Sequence, residues 1–93
     1  MTNLPRSLVG RHALVTGGGR GAGRGIALSL ASLGANVAVN YSSSKDEAEA
    51  TVQDLQSLGV DSFAVQANVS VKPDVGRMFV EVTSRWPRLD ILV

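Results

Sequence analysis

The sequence has no cysteine and a single histidine, His12. Disulfide scaffolds, thiolate metal sites and cysteine nucleophiles are excluded together, and one imidazole cannot build a His cluster for a metal. Charge of one sign is lacking as well. The formal net charge is +1, too small for the field that draws a chain to nucleic acid or to an anionic membrane. No stretch approaches the roughly 18 apolar residues of a membrane span. Met1 to Gly10 holds one Arg and no apolar run of signal-peptide length. The expectation is a soluble, cytoplasmic chain with neither nucleic acid nor membrane as a partner. What is present is apolar: 44% of residues are hydrophobic and 18% charged, enough to bury a core in a chain with room for one domain.

Arg11 and His12 lead into Ala13-Leu14-Val15-Thr16, a short apolar run that reads as a strand buried on both faces. Gly17 to Gly25 hold six of the ten glycines, so this segment starts as a loop. Ile26, Ala27, Leu30 and Leu33 then recur at helical spacing, and Gly34 stops the helix. Val37-Ala38-Val39 predicts a second strand. Ser44 with Glu47 has the form of a capping box for a second helix, whose apolar face is Ala48, Val52, Leu55 and Leu58, ended by Gly59. Phe63-Ala64-Val65 predicts a third strand running out at Asn68. Ser70 is the expected cap of a third helix, with Pro73 in its first turn and Val75, Met78, Phe79 and Val82 as its stripe. Trp86-Pro87 breaks that helix, and Leu89 to Val93 opens a fourth strand. The alternation β-α-β-α-β-α-β implies an α/β fold, a parallel sheet with right-handed crossovers and helices on both faces.

The segment Thr16-Gly17-Gly18-Gly19-Arg20-Gly21-Ala22-Gly23 joins the first strand to the first helix. A strand that feeds a helix through glycines aims backbone N–H groups and the positive end of the helix dipole at one point, a geometry that binds a diphosphate. Other readings compete. A nucleotide-triphosphate loop needs Lys then Ser or Thr after its last glycine, but Arg24 and Gly25 follow Gly23. Gly-Arg-Gly at Arg20 and Arg24 suggests an RNA-binding Arg-Gly box, yet it lies between a strand and a helix and lacks interleaved aromatics. A glycine-rich turn without a ligand is the plainest alternative, at odds with the entropic cost of so many glycines.

The spacing in this loop is Thr-Gly-x-x-x-Gly-x-Gly, at Thr16, Gly17, Gly21 and Gly23, and it resembles the signature of the short-chain dehydrogenase/reductase family. Asn68-Val69 is similar to the family's adenine-contact pair. Leu89-Asp90-Ile91-Leu92-Val93 is similar to the lead-in to its Asn-Asn-Ala-Gly motif. Within the family the chain looks most like the ketoacyl-carrier reductases and the fungal polyhydroxynaphthalene reductases, through Gly19-Arg20-Gly21 and Val39-Asn40-Tyr41. Ala22 departs from the usual Ile or Leu. The resemblance implies a Rossmann-type sheet of order 3-2-1-4, hydride transfer between NADPH and a carbonyl or alcohol, and homo-oligomers among full-length relatives. The cofactor-binding set it implies is Gly17, Gly19, Arg20, Gly21, Ala22, Gly23, Tyr41, Ser42, Ser43, Asn68 and Val69.

In dinucleotide folds an acid at the end of the second strand accepts from the ribose 2′-hydroxyl and repels a 2′-phosphate. Here Asn40-Tyr41-Ser42-Ser43-Ser44 contains no acid before Asp46, and Arg20 adds a positive charge. NADP(H) is therefore favoured over NAD(H). Tyr41 and Lys45 spell the spacing of the family's catalytic Tyr-x-x-x-Lys pair but follow the second strand, at the adenosine end, so no residue is assigned a catalytic role. The resemblance puts the Asn-Asn-Ala-Gly motif, the catalytic Ser and the true pair after Val93. Residues 1–93 are expected to be the dinucleotide-binding fragment of a single Rossmann domain, truncated after its fourth strand and inactive alone, with a complete but non-catalytic dinucleotide-binding module as the alternative.

Overall fold

A computed structural model describes residues 7–93; Met1 to Arg6, most of the stretch scanned for a leader, lie outside the described residues. Strands and helices alternate as β1 (His12–Val15), α1 (Gly21–Ser32), β2 (Asn36–Tyr41), α2 (Lys45–Ser57), β3 (Ser62–Gln66), α3 (Lys72–Arg85) and β4 (Ile91–Leu92). Every strand pair is parallel and the order across the sheet is β3-β2-β1-β4. This is the parallel α/β sheet that the alternation implies, in the Rossmann-like order that the family resemblance implies: strands joined through helices cross over to become parallel neighbours.

Side chains alternate across each strand. Ala13, Val15, Val37 and Val39 face α1 and α2, where Ala27, Ala31, Ala48, Val52 and Leu55 meet them. Leu14, Ala38, Phe63 and Val65 face the other way, onto Met78 and Val82 of α3 and onto Trp86. Leu14 and Val15 are both fully buried, one on each face, which is why the first strand reads as an unbroken apolar run. Two stripe assignments shift. Ile26 is 39% exposed and Leu58 42%, although both were expected on buried faces. Ala27 and Ala31 take the sheet-facing positions of α1, and their small side chains let the helix lie close to the strands. Leu58 is the C-cap of α2 and has left the helical register.

Neither expected hydroxyl cap forms. Ser44 holds the N-cap position of α2, but its side chain makes no capping bond. The Glu47 carboxylate that a capping box needs accepts instead from Arg20 (3.2 Å). The N-cap of α3 is Val71 rather than Ser70, because the Ser70 hydroxyl donates to Asn68 Oδ1 (2.6 Å). Pro73 lies in the first turn of α3 as expected. No helix among the described residues is long and apolar enough to cross a membrane.

At the amino ends of the strands a second polar group forms. Trp86 is buried, stacks edge-on against Phe63 with 4.9 Å between ring centroids, and donates from Nε1 to Asp61 (2.8 Å). The His12 ring lies 4.8 Å from the Trp86 ring. The Asp90 carboxylate accepts the backbone N–H of His12 (2.9 Å) and pairs with Arg88 (2.9 Å) and Arg11 (3.6 Å). That backbone bond first, and then the two guanidinium charges, hold Asp90 below the usual carboxylate range against an opposing desolvation.

Candidate functional site

Five residues, Thr16 to Arg20, connect β1 to α1 across the carboxyl ends of the strands. Two glycines are indispensable to the shape of this connection. Gly21 opens α1 at φ 60°, a left-handed conformation that side chains disfavour. Gly23 lies so close to the loop that a Cβ would collide with the Gly17 carbonyl oxygen. Loop and helix are thus packed backbone against backbone. A Cβ on Gly19 would meet the Cα and N of Ala48 at 3.1 Å, so the loop also presses on α2.

The first turn of a helix leaves its leading N–H groups without partners inside the helix. In α1 the Arg24 N–H is bonded to the Arg20 carbonyl (3.3 Å), which leaves Gly21, Ala22 and Gly23 as the unpaired leading turn. No acidic residue lies in that turn. A run of free N–H groups at the positive end of a helix dipole, next to glycines, suits an anion such as a diphosphate.

Donors in the preceding loop are divided differently. The Gly17 N–H is taken by Asn40 Oδ1 (3.2 Å) and the Gly18 N–H by the Asn40 carbonyl (3.1 Å). Gly17 therefore shapes the loop and spends its own N–H internally. The Gly19 carbonyl accepts from the buried Thr51 hydroxyl (2.9 Å), and Thr51 accepts in turn from Arg24 (2.9 Å), whose guanidinium also pairs with Asp54. Arg24 is thereby tied to α2. Arg20, the N-cap residue of α1, projects its side chain into solvent, 70% exposed, with Glu47 as its partner.

The other expected residues line the same edge of the sheet. Tyr41 ends β2, half-buried against the core, and its carbonyl accepts the Ala67 N–H (2.9 Å). Ser42 and Ser43 are exposed in the turn before α2. Asn68 and Val69 follow β3, both exposed; the Asn68 N–H donates to Asp74 (2.9 Å) and its Oδ1 accepts the Ser70 N–H (3.0 Å). The carboxyl ends of β1, β2 and β3 thus bring the expected set to one edge. Tyr41 and Lys45 sit at the β2–α2 turn, and Tyr41 packs inward. Two residues that the sequence reading did not assign to the site hold it together: Asn40 and Thr51. Their signals were a polar residue closing an apolar strand and a hydroxyl in phase with the buried face Ala48, Val52 and Leu55.

Residues 11–93 match the family described as short chain dehydrogenase. A 3-oxoacyl-[acyl-carrier-protein] reductase FabG of Staphylococcus aureus is 55% identical over 83 residues, 89% of this chain and 34% of the relative. The hydroxynaphthalene reductase-like protein Arp2 of Metarhizium robertsii is 46% identical over 89 residues, 96% of this chain and 33% of the relative. Both reductase groups singled out by the sequence resemblance are thus represented. A short chain dehydrogenase from Burkholderia cenocepacia, solved in complex with NADP, superposes with a TM-score of 0.89 at 41% identity, over 92% of this chain and 35% of that one. The chain spans about a third of the length of the curated relatives it matches.

Proposed function

This chain belongs to the short-chain dehydrogenase family, and from that premise we propose that it forms the dinucleotide-binding, amino-terminal part of a single Rossmann domain in an NADP(H)-dependent reductase. The observation that carries this reading is the turn from β1 into α1, where free N–H groups meet a close backbone approach that only glycine permits. In this proposal Gly21, Ala22 and Gly23 hold the diphosphate through those N–H groups, with Gly17 and Gly19 shaping the approach. Asn68 and Val69 border the adenine, and Tyr41 backs the adenosine end. Arg20 and the hydroxyls of Ser42 and Ser43 take the 2′-phosphate, so NADP(H) is preferred to NAD(H). Arg20 is exposed and, among the described residues, held only by Glu47, a surface pair worth about 0–1 kcal/mol, so it can exchange that partner for a dianion. The cradle fits the cofactor: its donors are backbone groups, and β2 ends without a carboxylate facing the ribose.

Bound NADPH would supply the hydride for reducing a carbonyl to an alcohol in the whole protein. The residues of this chain bind and orient; proton transfer is assigned to parts of the whole protein outside it, and neither Tyr41 nor Lys45 has that role. A cytoplasmic setting, a small carbonyl or alcohol substrate and self-association of the full-length form belong to the same proposal. Calorimetric titration tests it. The chain should bind NADPH more tightly than NADH, and Arg20→Ala should shrink the preference by about tenfold, the size of one charge-assisted contact. Equal affinity for the two cofactors in the wild type would count against the assignment.

A further inference from the structure

Asn40, the next-to-last residue of β2, carries an amide that is almost fully buried, 3% exposed, and used at both ends. Its Oδ1 accepts the Gly17 N–H (3.2 Å), and its Nδ2 donates to the carbonyls of Val65 (3.3 Å) and Ala67 (3.1 Å). Its backbone carbonyl accepts the Gly18 N–H (3.1 Å). One residue therefore grips two consecutive amides of the glycine loop and two carbonyls at the end of β3. The peptide between Ala67 and Asn68 is fixed from both sides: Asn40 holds its carbonyl, and Asp74 accepts its N–H (2.9 Å).

We infer that Asn40 is the positioning residue of the dinucleotide groove, setting the phosphate loop against the adenine wall at Asn68 and Val69. The inference rests on the NADP(H) reading above, because it is a single rigid cofactor touching both walls that gives their spacing a consequence. The choice of an amide follows from polarity. An aliphatic side chain would leave one N–H and two carbonyls without this partner. A carboxylate would keep the acceptor for Gly17 but turn a second oxygen toward two carbonyl oxygens, with no proton to place between them. Only a group that accepts at one end and donates twice at the other joins these three partners.

The test is a pair of titrations on the full chain, wild type and Asn40→Ala, with NADPH and with adenosine 2′-monophosphate. The second ligand reaches the adenine wall and the 2′-phosphate contacts but carries no 5′-phosphate to bind the loop. The substitution should weaken NADPH by about tenfold or more, a typical coupling between two binding regions, and the monophosphate far less. A purely structural role would lower both in equal proportion, through the fraction of folded chain. Should Asn40→Ala fail to fold, Asn40→Ser, which keeps a hydroxyl able to accept and to donate, is read by the same two titrations. NADPH binding that stays at the wild-type level, or an equal loss for both ligands, would overturn the inference. A wild type that binds neither ligand would overturn the underlying NADP(H) reading instead.

Discussion

The two ends of the sheet are both polar, yet they are built from opposite materials. At the amino ends, charged and aromatic side chains face one another: Asp90 with Arg88, Arg11 and the His12 N–H, and Trp86 against Phe63, His12 and Asp61. Most groups there have a protein partner; among the described residues His12 Nδ1 and, at the start of β3, Ser62 Oγ are buried without a hydrogen bond. At the carboxyl ends, neutral buried groups, Asn40 and Thr51, brace a loop of glycines that leaves backbone donors unspent. Parallel strands point all their carboxyl ends the same way, so the loops able to meet one ligand collect at that edge. The difference separates tasks: the amino end spends most of its charged and aromatic groups on one another and stabilises, whereas the carboxyl end holds a run of backbone donors in reserve for something else.

That separation can be broken by mutation. The largest effect is expected from Trp86→Ala at the amino end, which removes a buried ring and should cost about 3–5 kcal/mol in urea unfolding. The affinity of the remaining folded chain for NADPH should not change; a parallel loss of affinity would show that the two ends are coupled. Next comes Gly23→Ala at the carboxyl end. Its methyl group would collide with the Gly17 carbonyl, and overpacking of this kind costs about 1–3 kcal/mol. Here, unlike at the amino end, the loss of stability should come with a fall in NADPH affinity of about tenfold or more, because the displaced loop no longer presents its N–H groups to one point. Wild-type affinity in this variant would remove the glycine turn from the site.

The smallest effect concerns Asp90 and sharpens the comparison through pH. Its folded pKa lies below the ordinary value of 3.8. Stability from its ionised form is therefore fully present above that value and is lost as the pH falls through the lowered folded value. Asp90→Asn should flatten the loss of stability between about pH 5 and 2, measured as urea midpoints, and leave cofactor affinity at neutral pH alone. Identical acid limbs in wild type and variant would mean that the Asp90 contacts at the amino end contribute nothing measurable.

The alternation of elements and the position of the glycine turn were legible in the sequence, because each depends on local periodicity or on a short motif, whereas the strand order β3-β2-β1-β4 was expected only from the family resemblance. The phase of α1 was not legible. Ile26 is the larger apolar residue, but the sheet accepts the smaller Ala27 and Ala31, and closeness of packing is decided by the partner surface. The two hydroxyl caps failed for a related reason. Glu47 has a competing partner in Arg20, 27 residues away, and Ser70 has one in Asn68, so the local cap lost to contacts that only the folded chain offers. Asn40 was visible as a residue but not as a clamp, since its partners Gly17, Val65 and Ala67 lie more than twenty positions away and meet it only through the register of β1, β2 and β3.

The Gly17 and Gly18 amides are engaged by Asn40 in the chain by itself, and this bears on how fast a ligand is captured. Those two bonds close during folding, so that part of the loop's ordering need not be made at the moment of encounter. A segment ordered in advance is expected to add no slow conformational step to the arrival of a dinucleotide. Differences in residence time among variants of this loop should consequently arise on the dissociation side.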